Sequence, residues 1–227
     1  MATSSARAMT RDGGPRSLAE QAYQHLVRDI TRLELLPGEV LAEKALMERI
    51  GIGRTPIREA LQRLAMEGLV LHLSNRGMFV SEISAASVQQ IYEFRSLIDG
   101  HAARLAAVRA SSRETEELAS LHQALVDARE HDDVDRYVDM DRLFYDVLAD
   151  ATRNVYLAEV IPRIFNLHLR LWFFISDKTG GWHDIADSHQ DMTRAVVEAV
   201  RRRNADEAEL AMKTYISRRH EDLRGIL

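Results

Sequence analysis

The stretch Arg54-Thr55-Pro56-Ile57-Arg58-Glu59-Ala60-Leu61-Gln62-Arg63-Leu64-Ala65-Met66-Glu67-Gly68-Leu69 decides how the rest of the chain is read. It has the marks of a short helix with a defined start and a defined stop. Thr55 is a natural N-cap, and Pro56 suits the first helical turn, where a missing N–H costs nothing. Gly68 can take the left-handed conformation that closes a helix. Ile57, Leu61, Leu64 and Ala65 share one face; Arg54, Arg58 and Gln62 gather at the N-terminal end and on the other side. A helix of this kind on a small scaffold has what major-groove reading requires: guanidinium groups for guanine edges and phosphates, and an N-terminus that favours phosphate.

Working outward, Ser17 with Glu20 forms a capping-box pattern that opens a helix. Its apolar positions Ala19, Ala22, Tyr23, Leu26, Val27, Ile30 and Leu33 follow the 3.6 period until Leu36-Pro37-Gly38 breaks it. A second helix is expected from about Ala42 to Ile50, with Gly51 as its stop. Beyond the reading helix come two β-prone runs, Leu69–Leu73 and Met78–Val80, joined by Ser74-Asn75-Arg76-Gly77, whose Asn and Gly permit a tight hairpin. Three helices and a hairpin make a winged helix-turn-helix. After Glu82 the periodicity is helical throughout, in segments near 85–109, 113–130, 134–151, 155–177, 185–203 and 206–225. Ser111 with Glu114, Asn204 with Glu207, and Asp133 mark helix starts; Pro162 is expected to kink the fourth segment and Gly180-Gly181 to end it. The fold class is therefore mainly α: an N-terminal winged helix-turn-helix over 16–83 and a C-terminal all-helical antiparallel bundle over 84–227, preceded by a small, polar tail, 1–15, expected to be disordered.

Composition narrows the functional classes. The chain has 227 residues, 46% hydrophobic and 29% charged, enough for two modest packed domains. It contains no Cys, which excludes disulfides and thiolate metal sites. No apolar run is long enough for a membrane span, and the N-terminus lacks the apolar core of a signal peptide, so the cytoplasm is the expected location. The net charge of −5 argues at first against nucleic acid. Its distribution argues otherwise: acids and bases balance between Arg16 and Glu82, and the acidic excess lies after residue 83. Near Arg54, Arg58 and Arg63 the sequence shows only Glu59 before Glu67.

With these residues in place the chain resembles the GntR family of bacterial transcription regulators, in the FadR-like branch with a helical FCD-type effector domain. The resemblance is dense in Leu36-Pro37-Gly38, Leu41 with Glu43, Ile50-Gly51, Arg54-Thr55-Pro56-Ile57-Arg58-Glu59-Ala60-Leu61, Glu67-Gly68-Leu69-Val70, and Arg76-Gly77 before Phe79-Val80. It is looser in Phe94-Arg95 with Leu97 and Asp99, in Asp141-Arg142-Leu143-Phe144, and in Glu198-Ala199-Val200 with Ala208 and Met212. It implies a homodimer that binds a pseudo-palindromic double-stranded DNA operator, with DNA contacts at Lys44, Arg54, Thr55, Arg58, Arg76 and Gly77. Gly53 departs from the Ser or Thr usual in the family, which puts operator preference in question.

Family members with this helical domain commonly hold a divalent metal through one Asp and three His. Asp141 is in place, but the matching His positions carry Tyr145, Thr193 and Tyr215. One carboxylate, two phenols and a hydroxyl are poor ligands for zinc or nickel. No cofactor is expected; a displaced divalent metal, if present, would fall to Asp141 and His189, one turn before Thr193. The expected effector site is a metal-free cavity of Arg95, Asp141, Tyr145, His189, Thr193 and Tyr215, with Asn166, His168 and Arg170 as further candidates. Arg95, matching an inward arginine of the family, suits a small organic acid. Two readings fit Tyr145 and Tyr215, as cavity hydroxyls or as core tyrosines with satisfied hydroxyls, and Arg95 with Asp141 fits a structural ion pair equally well.

Three classes of function follow. The first is a ligand-responsive repressor released by its effector. The second is a DNA-binding regulator whose helical domain only dimerises, and a metal-dependent sensor is a weaker variant of the first. The third, an enzyme, has little support: no Ser–His–Asp grouping, Gly-rich phosphate loop or H-E-x-x-H occurs in the sequence.

Overall fold

The computed structural model describes residues 17–226; the tail expected to be disordered, residues 1–15, lies outside the described residues, as do Arg16 and Leu227. The described residues form α1 (Leu18–Thr31), α2 (Glu43–Ile50), α3 (Arg54–Met66), β1 (Val70–Leu73), β2 (Gly77–Val80), α4 (Ala85–Arg109), α5 (Ser112–Glu130), α6 (Val134–Ala151), α7 (Val155–Thr179), α8 (His183–Arg201) and α9 (Ala205–Arg224).

Two apolar clusters organise the molecule. One buries Leu26, Ile30, Ile57, Leu61 and Leu64 of the first three helices, together with Leu69, Val70 and Val80. Ile57, Leu61 and Leu64 are almost fully enclosed, so truncating any of them to alanine costs about 2–5 kcal/mol. The hairpin pairs Val70 with Val80 and Leu73 with Gly77, and Val40 bridges Phe79 to tie it back to the loop before α2. Asn75 (φ 65°) and Gly77 (φ 96°) supply the left-handed residues that this tight turn demands. The second cluster fills the bundle, where α4 packs along α9, α5 along α6, and α8 against α9 and α5. Its helix contacts depend on a run of small residues, Ala102, Ala103, Ala106 and Ala107, which let α4 approach its neighbours closely.

Local signals mostly act as their chemistry dictates. Ser111 and Glu114 close a reciprocal capping box, and Asp133 accepts from the Arg136 N–H. At two starts only half of the expected box forms. Ser17 caps Glu20, whose carboxylate turns to Gln24 and Arg63; Asn204 caps Glu207, whose carboxylate turns to Arg202. The reading helix starts earlier than its sequence suggested. Its N-cap is Gly53, without a side-chain cap bond, and Thr55 sits in the first turn, because Arg54 is already helical. Pro162 stands inside α7, which continues through it to Thr179 and ends on Gly180 in the left-handed region.

Candidate functional site

The proposed reading face is exposed. Lys44, Arg54, Thr55, Arg58, Arg76 and Gly77 all lie open to solvent on α2, α3 and the hairpin turn. The uncapped start of α3 leaves its first N–H groups to face an anion beside two arginines. Sequence reasoning missed what steadies those arginines. Glu43, on α2, places its carboxylate 3.5 Å from Arg54 Nε and 3.3 Å from Arg58 Nε. An acid in the preceding helix thus presents both guanidinium groups on one side. Arg63 belongs elsewhere: it lies over the Tyr23 ring at 3.5 Å and pairs with Glu20 and Glu67.

Most of the expected effector residues converge inside the bundle. All six are buried, but only Arg95, Asp141, Tyr145, His189 and Tyr215 are brought together, by α4, α6, α8 and α9; Thr193 turns to His122 on α5. Arg95 does not pair with Asp141. Its Nε donates to Asp99 Oδ2 at 2.8 Å and its Nη2 to the Tyr145 hydroxyl at 3.0 Å, because Asp99 stands one turn along the same helix. Burial pushes the Asp99 carboxyl up against the pull of Arg95, and raises the Tyr145 phenol well above its ordinary value. Tyr145 also donates toward the Met212 sulfur at 3.8 Å, so it is a satisfied tyrosine. Tyr215 is the opposite case: its hydroxyl is buried without a hydrogen-bond partner, 5.4 Å ring to ring from His189.

His189 joins this cluster through both nitrogens. Nδ1 lies 2.8 Å from the Tyr137 hydroxyl, and Nε2 lies 3.1 Å from Asp141 Oδ1 but out of line for a hydrogen bond. Thr193 donates to the Gln190 carbonyl, which leaves His122 Nδ1 as the donor in the 2.9 Å contact between His122 and Thr193. Arg95 Nη1, His168 Nδ1 and the Tyr92 and Tyr215 hydroxyls are buried without hydrogen-bond partners, and Asp141 Oδ1 and His189 Nε2 have only their misaligned contact with each other. Buried polar atoms are normally paired, so these atoms set the cluster apart from the rest of the bundle core.

A divalent metal does not fit the residues present. Among the described residues no group of three His, Asp or Glu side chains could hold one. Asp141 and His189 offer two donors where a zinc site needs at least three, and Tyr145 and Thr193 already spend their hydroxyls on neighbours. The further candidates on α7 divide. His168 faces inward, and burial, with Arg95, His189 and Arg219 nearby, pushes its imidazole well below its ordinary value. Asn166 and Arg170 do not face the bundle cluster. Each stands two residues from His168, which turns it to the other side of the helix, and four apart they share a face that meets the N-terminal domain through Tyr23 and the Ser81 carbonyl. Sequence reasoning passed over Tyr137, His122 and Asp99; only Asp99, one helical turn after Arg95, carried a signal in its spacing.

A helix-turn-helix with exposed arginines, joined to a helical bundle with a buried polar cluster, defines a transcription regulator with a sensing domain rather than an enzyme. Comparison with known proteins gives the class its family. Residues 18–80 match the model of the bacterial regulatory proteins of the gntR family, and residues 90–218 match the FCD domain. The chain belongs to the GntR family and carries an FCD effector-binding domain. It is 28% identical over 208 residues to the HTH-type transcriptional repressor RspR of Escherichia coli K12, covering 91% of this chain and 89% of that protein. It is also 28% identical over 184 residues to the repressor GlaR of the same organism, covering 77% and 83%. The solved structure of E. coli McbR/YncC superposes with a TM-score of 0.76 at 20% identity, over 93% of this chain and 99% of that one, a likeness of fold.

Proposed function

We propose that the protein is a homodimeric cytoplasmic repressor that binds a pseudo-palindromic operator and is released by a small organic acid held in the bundle without a metal. The observation that carries this reading is the set of unpaired buried groups around Arg95, Asp141, His189 and Tyr215. Each such group costs about 1–3 kcal/mol when left unmatched, so a ligand that pairs several of them gains both affinity and selectivity. Arg95 Nη1 is the donor available to a carboxylate, while Asp141 and the His189 nitrogen suit a hydroxyl or amine at the ligand's other end. On the DNA side, Arg54, Arg58, Lys44 and Arg76 supply charge, and Thr55 and the Gly77 backbone approach the phosphates. Exposed apolar side chains at Phe94, Leu97 and Val108 on α4 give a second copy surface to bury. Among the described residues no helix is long and apolar enough to cross a membrane.

The test is fluorescence anisotropy on a duplex selected from a random library. Arg58→Ala should weaken binding at least about tenfold, the worth of one base-reading arginine, without changing thermal unfolding. A panel of mono- and dicarboxylic acids should contain one that lowers operator affinity in the wild type and not in Tyr215→Phe. Full operator binding by Arg58→Ala would refute the reading face. An acid that acts equally on Tyr215→Phe would refute the site.

A further inference from the structure

Helices α6 and α7 each carry, within one turn, a side chain in the buried polar cluster and another in the joint with the reading head. On α6 these are Asp141 and Arg142; on α7 they are His168 and Asn166. From the second set a continuous line of hydrogen bonds runs to the reading helix. Arg142 Nη2 donates to Asn166 Oδ1 at 2.9 Å, and Asn166 Nδ2 donates to the Tyr23 hydroxyl at 3.1 Å. Tyr23 donates to Glu67 Oε2 at 2.7 Å, and Asn166 Nδ2 also reaches that oxygen directly at 3.5 Å. Glu67 is the C-cap of α3, and its other oxygen accepts from Arg63 Nε at 3.2 Å.

The line has a single direction. Burial, with the Glu67 carboxylate beside it, raises the Tyr23 phenol far above its ordinary value, so its proton stays in place and points at Glu67. Tyr23 can then only accept from Asn166, which fixes the amide with its oxygen toward Arg142. Tyr23 and Asn166 are almost wholly enclosed, at 4% and 2% exposure, so water does not readily replace a broken link. A small rotation of α6 or α7 around a guest at Asp141 or His168 would therefore be felt at the last turn of the helix that carries Arg54 and Arg58. We propose that Arg142, Asn166 and Tyr23 are the positioning residues that pass the state of the polar cluster to the reading head. This rests on the DNA-binding and sensing roles proposed above.

No ligand is needed to test it. Asp141→Asn and His168→Gln change the polar cluster directly, and Asn166→Ala removes both links toward Glu67, the one through Tyr23 and the direct one. Operator affinity is measured by anisotropy for each variant and each pair. At least one cluster substitution should shift the wild-type Kd by about fivefold or more, the lower range of allosteric coupling. In the Asn166→Ala background the same substitution should shift it by less than about twofold, the scatter of independent sites. Asn166→Ser, too short to reach either partner, serves as the second background should Asn166→Ala not fold. Equal shifts in wild-type and relay-broken backgrounds would overturn the proposal, as would no shift from either cluster substitution. Wild-type protein that binds no selected duplex would instead overturn the DNA-binding reading on which the relay rests.

Discussion

Asp99→Ala is the substitution whose consequence is most sharply set by this structure. Arg95 and Asp99 are 1% and 2% exposed, and among the described residues the Asp99 carboxylate is the only acid that the guanidinium touches. Removing it leaves a buried cation whose remaining bond goes to the Tyr145 hydroxyl. Breaking a buried pair from one side costs about 3–5 kcal/mol, a large part of the roughly 5–15 kcal/mol that stabilises a domain. For a bundle of this size that corresponds to a fall in melting temperature of roughly 10 °C. Arg95→Met with Asp99→Leu removes both charges and should recover to within about 2 kcal/mol of wild type, since replacing a buried pair by apolar groups is close to neutral. The assay is urea unfolding followed by circular dichroism at pH 7, repeated for Asp99→Ala in acetate and in chloride at equal ionic strength. Acetate should restore part of the loss, because a small carboxylate can take the place of the missing Asp99 carboxylate beside Arg95. A loss below about 1 kcal/mol in Asp99→Ala would show that Arg95 is not a desolvated charge, and the reasoning about the cluster would fall with it.

Other outcomes follow from single residues. His168 is held neutral by burial, with its folded pKa below the ordinary 6.5, so the unfolded chain binds the extra proton as pH falls below that value. Stability should therefore drop below about pH 6.5 by up to roughly 1.4 kcal/mol per pH unit, and His168→Gln should flatten that slope in urea titrations. Burial pushes the Glu114 carboxyl up, but hydrogen bonds from Arg153 and Ser111 prevail and hold it at about 2. Its contribution is present above the ordinary value of 4.5 and is lost as pH falls toward 2, so Glu114→Gln should lower the melting temperature at pH 6 and leave it little changed near pH 2. Gly77 has φ 96° with open space around it, so Gly77→Ala meets backbone strain alone and should destabilise by about 1–2 kcal/mol in urea unfolding.

Much of the fold was legible because it is written in local patterns. The long helices of the bundle have strong periodicity and clear caps, and their bounds in the structure differ from the expected ones by only a few residues, as for α8, which begins at His183 rather than 185. The hairpin was announced by Asn75 and Gly77. The start of α3 was misread because Thr55 looked like a cap, whereas the helix begins on a glycine whose capping role leaves no side-chain trace. Partnerships inside the cluster were harder. Asp99 was visible one turn from Arg95, yet Asp141 had been weighed as the partner because the family pattern drew attention to it. The contacts of His189 with Tyr137 and of Thr193 with His122 join helices 50 or more residues apart, and no spacing in the sequence encodes them. Asn166 and Arg170 were placed with the cluster because they flank His168; the helical period turns them to the other side.

The proposal that this regulator binds its operator and senses through the bundle cluster without a metal is open to direct test. Operator affinity measured by anisotropy, on protein stripped with a strong chelator and then with zinc or nickel restored, addresses it directly. The same Kd is expected in all three conditions, with no metal retained on the protein in native mass spectrometry. Operator binding that vanished on chelation and returned with one equivalent of metal per chain would contradict it.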